Sequence, residues 1–164
     1  MRRAAVLLGL ALSMTIALPA AGSRHRGGEA RGVRWSATTP RVNETHIFEG
    51  GINRRGRPVG FHSRPGGQDP SHARVVAILR QPNGYGVYEA RVAIAGSGGG
   101  WVEKRSTFYP DRLGREAVVA AIVHAYQNRA AGGGSPFRGP SGLGFTIEGY
   151  LLGDGSINTA YPIY

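Results

Sequence analysis

Only one segment of this 164-residue chain has the apolar spacing of a long helix, and this limits the possible folds more than any other feature. Within residues 115–129, apolar side chains recur at three- and four-residue intervals, which places them on one stripe of a helix. They are Val118, Val119, Ile122, Val123 and Tyr126. Asp111 or Gly114 is expected to cap the start of this helix, and the glycines at 132–134 are expected to end it.

The other apolar stretches are short and are bounded by turn residues, which is typical of β-strands. Strands are predicted at residues 73–79, 86–94, 101–109, 145–152 and 156–161. Asn83-Gly84 and Asp154-Gly155 mark tight turns that join two pairs of these strands as hairpins. One main helix packed on antiparallel strands predicts an α+β domain.

The N-terminus has the three-part order of a secretory signal peptide. Met1-Arg2-Arg3 is basic, residues 4–18 are mainly apolar, and residues 19–22 are small and suited to cleavage. The apolar run is shorter than the about 20 residues that a membrane-spanning helix needs. Residues 1–22 are therefore predicted to be removed, which gives a secreted protein with no stable membrane association. A retained, uncleaved anchor is the alternative.

Residues 23–41 are charged and glycine-rich and lack apolar periodicity, so they are predicted to form a basic flexible leader before a domain at 42–164. The whole chain carries 20 basic and 10 acidic residues, a formal charge of +10, which favours polyanionic partners such as RNA. It contains no cysteine, which excludes disulfides, thiolate metal sites and cysteine nucleophiles.

Two histidines and a solitary lysine are the candidates for chemistry. His46 and His62 flank an arginine- and glycine-rich stretch, and Lys104 is the only lysine in the chain. One imidazole can take a proton from a ribose 2′-hydroxyl while another returns one to the leaving 5′-oxygen. An ammonium can stabilise the charge on the phosphoryl oxygens. From these residues alone, two structural histidines and a surface lysine remain the alternative.

The remaining histidines do not indicate a metal site. None has the three-to-five-residue spacing or the HExxH pattern of a zinc centre, so no metal and no cofactor are expected. His124 falls beside the apolar stripe of the predicted helix and is expected to be packed or half-exposed there.

Three separated motifs occur in a fixed order along the chain. They are HIFEG at 46–50 with GFHSRPG at 60–66, KRSTFYP at 104–110, and GFTIEGY at 144–150 with TAYPIY at 159–164. Together they resemble the bacterial EndoU nuclease family over about residues 42–164. The resemblance implies an EndoU-like catalytic domain that cleaves RNA beside uridylate and leaves a 2′,3′-cyclic phosphate and a 5′-hydroxyl.

The resemblance also implies a role for individual residues. His46 would be the general acid toward the leaving oxygen, His62 the general base on the 2′-hydroxyl, and Lys104 would stabilise the phosphorane. Tyr161 would stack against the ribose or base, and Thr159 would help to read the pyrimidine. Sheet packing is the alternative for Tyr161. Ser106 or Thr107 is an alternative reader of the base.

Four arginines bracket the histidines, and some of them are predicted to guide the RNA backbone toward the cleft, with a solvated basic loop as the alternative. They are Arg54, Arg55, Arg57 and Arg64. Some relatives are toxin tips that an immunity protein blocks, so an inhibitor is a possible partner beside the RNA substrate. A non-catalytic module that binds RNA or another polyanion on the same fold remains the alternative function, followed by a structural or interaction protein.

Overall fold

A computed structural model of the chain describes residues 32–96, 98–130 and 134–164, so the predicted signal peptide lies outside the described residues. In chain order the elements are helix α1 (Glu44–Phe48), strands β1 (Gly51–Ile52), β2 (Pro58–Val59), β3 (Ala73–Arg80), β4 (Tyr88–Ala95) and β5 (Trp101–Phe108), helix α2 (Arg115–Gln127), and strands β6 (Phe137–Pro140), β7 (Thr146–Leu151) and β8 (Ile157–Pro162). All strands in the three sheets pair antiparallel, which confirms the α+β prediction with one main helix.

The strands form one two-stranded and two three-stranded sheets. The small sheet pairs β1 with β2, and the larger sheets have the orders β3-β4-β5 and β6-β7-β8. Strand β5 is therefore an edge of its sheet and lies beside β8, an edge of the other. The two sheet edges that come together in this way carry the candidate site.

Helix α2 packs on the β6–β8 sheet through the stripe that the sequence predicts. Val118 and Ile122 are fully buried, whereas Val123 and Tyr126 pack against the same core as partly buried side chains. A Cβ on Gly139 of β6 would lie 1.9 Å from the carbonyl oxygen of Ala125, so only glycine permits this close helix–sheet approach. Gly114 occupies the N-cap without a side-chain hydrogen bond.

A second, smaller core lies on the inner face of the β3–β5 sheet. Phe61 packs there against Phe108, with ring centroids 5.1 Å apart at 90°. Alternate residues of β4, among them Ala90, Val92 and Ile94, are fully buried on this face. Phe61 belongs to the loop that carries His62, so this core fixes one wall of the site.

The described part of the predicted leader is attached to the domain. Trp35 forms a bridge with Asn43, Val42 pairs with Ile157 of β8, and the carbonyl oxygen of Arg34 accepts the backbone N–H of Glu44. Residues 34–41 are thus hydrogen-bonded to the segment that begins α1. Among the described residues, no helix is long and apolar enough to cross a membrane.

Candidate active site

His46 and His62 come together because the chain folds back onto the short helix α1. Asn43 caps this helix, and its side-chain oxygen accepts the backbone N–H of His46 at 3.0 Å. The backbone N–H groups of Phe61 and His62 then donate to the carbonyl oxygens of His46 and Ile47. The two imidazole rings stack with centroids 6.4 Å apart and planes 21° apart.

This return path depends on two residues in the left-handed region. Gly60 has φ +71°, and a Cβ there would lie 2.2 Å from the carbonyl oxygen of His46. Phe61 follows with φ +59°, which is costly for a residue with a side chain. The Phe61 side chain is buried in the core of the β3–β5 sheet, and this packing offsets the cost of that conformation.

Strand β5 brings Lys104 to the same place. Lys104 and Ser106 point to one face of β5 because side chains alternate along a strand. The ammonium of Lys104 donates to the carbonyl oxygen of Gly60 at 2.8 Å and to the hydroxyl of Ser106 at 3.1 Å. Ser106 in turn donates to the carbonyl oxygen of Phe61 at 2.7 Å. Lys104 is therefore bonded to the His62 loop directly at Gly60 and also through the buried hydroxyl of Ser106.

The hydrogen bonds of His62 fix the position of its proton. Its Nδ1 lies 3.1 Å from the carbonyl oxygen of Thr107 and 3.0 Å from the hydroxyl oxygen of Ser106. A carbonyl oxygen can only accept, so Nδ1 carries the hydrogen and Nε2 is left with a free lone pair. His62 is thus arranged to accept a proton at Nε2.

Burial and charge change the proton affinities of these three groups. Desolvation, followed by the nearby charge of Lys104, lowers the pKa of His46 to about 4. The same two causes, with a smaller contribution from His46, lower the pKa of His62 well below its usual value. Burial lowers the pKa of Lys104 to about 8. In the substrate-free protein at neutral pH, both histidines are neutral and Lys104 keeps its proton.

The structure has a cleft of about 460 Å³ at this place. His46, His62 and Lys104 all line it. Its other lining residues come from β2 and the residue after it, β4, β5 and β8: Pro58, Val59, Gly60, Glu89, Arg105, Ser106, Thr107, Thr159 and Tyr161. The sequence segments 46–62, 104–107 and 159–161 therefore meet at one opening.

Strand β8 supplies an aromatic ring beside His62. The ring of Tyr161 lies 5.2 Å from the ring of His62, with the two planes tilted by 32°. Thr159 lies two residues earlier on the same face, and its buried hydroxyl has no hydrogen-bond partner among the described residues. A buried hydroxyl without a partner is costly, and a ligand in the cleft can supply one.

The bacterial EndoU nuclease family matches residues 40–164 of this chain. The chain belongs to this family. A Bacillus cereus protein named Toxin is 32% identical over 118 residues, which is 71% of this chain and 21% of that protein. The chain thus spans about a fifth of the length of this relative. No solved structure matches the chain.

Not every residue proposed from the sequence lies in the cleft of this EndoU-family chain. The Arg64 guanidinium donates to Asp69 at 2.7 Å and to the carbonyl oxygen of Gly67, and it lies 3.6 Å from Asp111. These contacts hold the loop after His62, and Arg64 does not line the cleft. We therefore do not include it among the proposed RNA contacts.

Ser106 and Thr107, the two alternative residues for contacting the base, differ in whether their side chains are available to a ligand. Ser106 is buried and fully engaged with Lys104, His62 and Phe61, so its hydroxyl has no bond left to offer a base. Thr107 lines the cleft and remains a candidate. The exposed His124 bonds the carbonyl oxygen of Pro140 through Nδ1, outside the cleft.

Sequence reasoning missed Gly60, and it named Ser106 only as an alternative reader of the base and not as a residue that organises the site. Ser106 and Gly60 lack an obvious chemical role, and only the same-face spacing of positions 104 and 106 on a strand signals that Ser106 accompanies the lysine. Glu89 of β4 also lines the cleft and pairs with Arg105 at 2.6 Å. Among the described residues, no three His, Cys, Asp or Glu side chains are placed to hold a metal ion.

The buried histidines are expected to make the folded protein sensitive to acid. The unfolded chain takes up protons as pH falls below about 6.5, whereas folded His46 stays neutral down to about 4. Stability present above pH 6.5 is therefore lost as pH falls through that window, by about 3 kcal/mol for His46 alone. Urea unfolding at pH 7 and pH 4 measures the loss. We expect a smaller loss in His46→Gln, and equal losses in both proteins would contradict the assignment.

Proposed function

We propose that this EndoU nuclease is an exported endoribonuclease that cleaves RNA at uridylates without a metal ion. The ribose 2′-hydroxyl attacks the adjacent phosphorus, the bond to the 5′-oxygen breaks, and a 2′,3′-cyclic phosphate and a 5′-hydroxyl result. One observation carries the proposal: two imidazoles and the only ammonium side chain line one cleft, in which Ser106 connects Lys104 to His62.

His62 is the proposed general base. Its Nδ1 proton is held by the carbonyl oxygen of Thr107, so Nε2 is the nitrogen that takes the 2′-hydroxyl proton. Its lowered pKa keeps the ring neutral at pH 7, which is the form that a base requires. The backbone contacts of the His62 segment with α1 keep this ring in place during the transfer.

His46 is the proposed general acid and must carry a proton when the 5′-oxygen leaves. In the free protein its pKa of about 4 does not favour that proton. The phosphodiester brings a negative charge into the cleft, and an opposite charge nearby raises the pKa of an imidazole. Substrate binding is therefore expected to raise the pKa of His46, so that the ring carries the proton that the leaving oxygen needs. In the substrate-free protein both histidines are neutral.

Lys104 is the proposed electrostatic stabiliser of the phosphorane. Its ammonium is fixed by the carbonyl oxygen of Gly60 and by Ser106, which leaves its third hydrogen for a phosphoryl oxygen. Because two hydrogen bonds already orient it, little reorganisation is required when charge develops. The two proton transfers and the charge neutralisation are all assigned to side chains, so the mechanism requires no ion.

The proposed uridine site lies between Tyr161 and Thr159. An aromatic face contributes about 1–3 kcal/mol of stacking to a base. The unpartnered Thr159 hydroxyl can both donate and accept, which suits the edge of a pyrimidine. Thr107 borders the same space from β5 and is the second candidate for a base contact.

The arginines near the cleft are proposed to guide RNA. Arg54, Arg55 and Arg57 are exposed in the turn between β1 and β2, and β2 itself lines the cleft. Arg105 lines the mouth of the cleft from β5. Export through the N-terminal segment and an inhibitor protein that protects the producing cell are further parts of the proposal. A relative named Toxin is consistent with the inhibitor protein.

A pair of short RNAs that differ in one oxygen tests the proposal. The first carries one uridine among adenosines, and the second replaces that uridine by 2′-deoxyuridine. We expect the first to be cut on the 3′ side of uridine, in EDTA as well as in Mg²⁺, and the second to remain intact because it lacks the attacking hydroxyl. Equal cutting of both RNAs would contradict the mechanism, and a strict need for metal would contradict its assignment to side chains.

A further inference from the structure

A buried carboxylate on the outer face of the β6–β8 sheet has no role in the proposed reaction. Glu148 lies on the central strand β7, directly opposite Arg138 on β6 and Tyr161 on β8. Its side chain is 10% exposed, and it does not line the cleft. Glu148 therefore does not contact a ligand in the cleft, but it is hydrogen-bonded to Tyr161, which lines the cleft.

Every described polar neighbour of this carboxylate donates to it. One oxygen, Oε1, accepts the hydroxyl of Tyr161 at 2.5 Å and that of Tyr150 at 3.1 Å, and the other, Oε2, accepts Nε of Arg138 at 2.5 Å. Hydrogen bonds to an ionised carboxylate are roughly twice as strong as those between neutral groups. These donors, the Tyr161 hydroxyl first, lower the pKa of Glu148, so the carboxylate stays charged at neutral pH.

These contacts determine what Tyr161 presents to the cleft. Its hydroxyl hydrogen is directed at Glu148, so the hydroxyl is not free to donate to a substrate. Its ring is held at one end by that bond and lies 5.2 Å from His62 on the cleft side. A tyrosine ring tethered at its hydroxyl loses less freedom when a base stacks on it.

We propose that Glu148 is a positioning residue that fixes the ring of Tyr161 as the stacking surface for uridine by accepting its hydroxyl hydrogen. This inference rests on the proposed function, because it takes the occupant of the cleft to be a uridine nucleotide. Arg138, 68% exposed, holds the second carboxylate oxygen and keeps Glu148 directed at the tyrosines.

Four variants test this role. Glu148→Leu removes both acceptor oxygens and leaves a shorter apolar side chain, whereas Glu148→Gln keeps one acceptor oxygen without the charge. Tyr161→Phe keeps the ring without the hydroxyl. The double variant Glu148→Leu with Tyr161→Phe combines the two losses. KM and kcat are measured on the single-uridine RNA. The Kd is measured on the 2′-deoxyuridine form by fluorescence anisotropy, and thermal unfolding reports whether each variant folds. Glu103→Gln is the matched control, because Glu103 pairs with Arg91 on the other sheet and does not line the cleft.

We expect Glu148→Leu and Tyr161→Phe each to raise KM and Kd by about fivefold, with kcat within about twofold of wild type. Glu148→Gln should fall between wild type and Glu148→Leu. The double variant should match either single variant, because both remove the same bond. The Glu103→Gln control should behave as wild type.

Two results would overturn the role of Glu148. One is an unchanged KM and Kd in folded Glu148→Leu, and the other is a double variant whose losses multiply. If Glu148→Leu does not fold, Tyr161→Phe alone decides, since a wild-type KM and Kd in that variant would show that the hydrogen bond to Glu148 does not affect binding.

Failure of the proposed function gives a different result. Wild-type protein that binds the deoxyuridine RNA without cutting the single-uridine RNA would refute the nuclease mechanism, and the Kd comparison would still test Glu148. Wild-type protein that binds neither would refute both.

Discussion

Replacing His62 by alanine is expected to lower kcat for the single-uridine RNA by about 10²–10⁴. The variant loses the Nε2 lone pair that accepts the 2′-hydroxyl proton, but it keeps the backbone hydrogen bonds that attach the segment to α1. His46→Ala should cost a similar factor, because the leaving oxygen then departs without a proton. Initial rates at pH 7 measure both effects.

His124→Ala is the matched control for both histidine variants. His124 is exposed on α2 and bonds Pro140 away from the cleft, so its loss should leave kcat unchanged. A wild-type rate in folded His62→Ala would remove that residue from the mechanism. A rate lost equally in His124→Ala would show that the losses report damage to the fold.

Replacing Lys104 by alanine is expected to lower kcat by about 10²–10³, because the developing charge on the phosphoryl oxygens loses its fixed cation. The wild-type kcat/KM, which follows the protonation of the substrate-free protein, should also decline as pH rises through about 8, where Lys104 gives up its proton. Lys104→Arg retains a cation at high pH, since a guanidinium is not deprotonated in this range. Its rate should be reduced, because the planar group cannot reproduce both contacts of the ammonium, but its alkaline decline should disappear.

Values of kcat/KM between pH 6 and pH 10 measure this difference between wild type and Lys104→Arg. Arg91→Ala serves as the charge control, because Arg91 pairs with Glu103 outside the cleft and its loss should leave the profile unchanged. An alkaline decline that persists in Lys104→Arg would assign it to another group. Wild-type activity in Lys104→Arg would reduce Lys104 to a generic positive charge.

The long elements of the fold could be predicted from the sequence because each has its own periodic signal. Helix α2 was predicted at 115–129 and occupies Arg115–Gln127, and the predicted strand at 73–79 is β3. Helix α1 and strands β1 and β2 were not predicted, because elements of two to five residues are too short to show a period. Strand β6 was also missed, since it contains Gly139 and Pro140, residues that usually indicate a loop.

The identity of the candidate site residues could be predicted from the sequence, but their arrangement in space could not. His46, His62 and Lys104 stand out by their chemistry and their motifs, and all three line one cleft. Their connection through Ser106 and Gly60 depends on a left-handed loop and on the pairing of distant strands, which no local pattern encodes. Arg64 was chosen for its charge, but three nearby acceptors hold its guanidinium elsewhere.

The end groups formed from an RNA with a single uridine provide the most direct measurement of the central claim that these three side chains act on one phosphodiester. Mass spectrometry of the first products distinguishes a 2′,3′-cyclic phosphate from an opened phosphate by one molecule of water. The account predicts a cyclic phosphate on the uridine fragment and a 5′-hydroxyl on the other, with neither appearing in His46→Ala or His62→Ala. A 5′-phosphate on the second fragment would contradict it, because the 2′-hydroxyl would then not be the nucleophile.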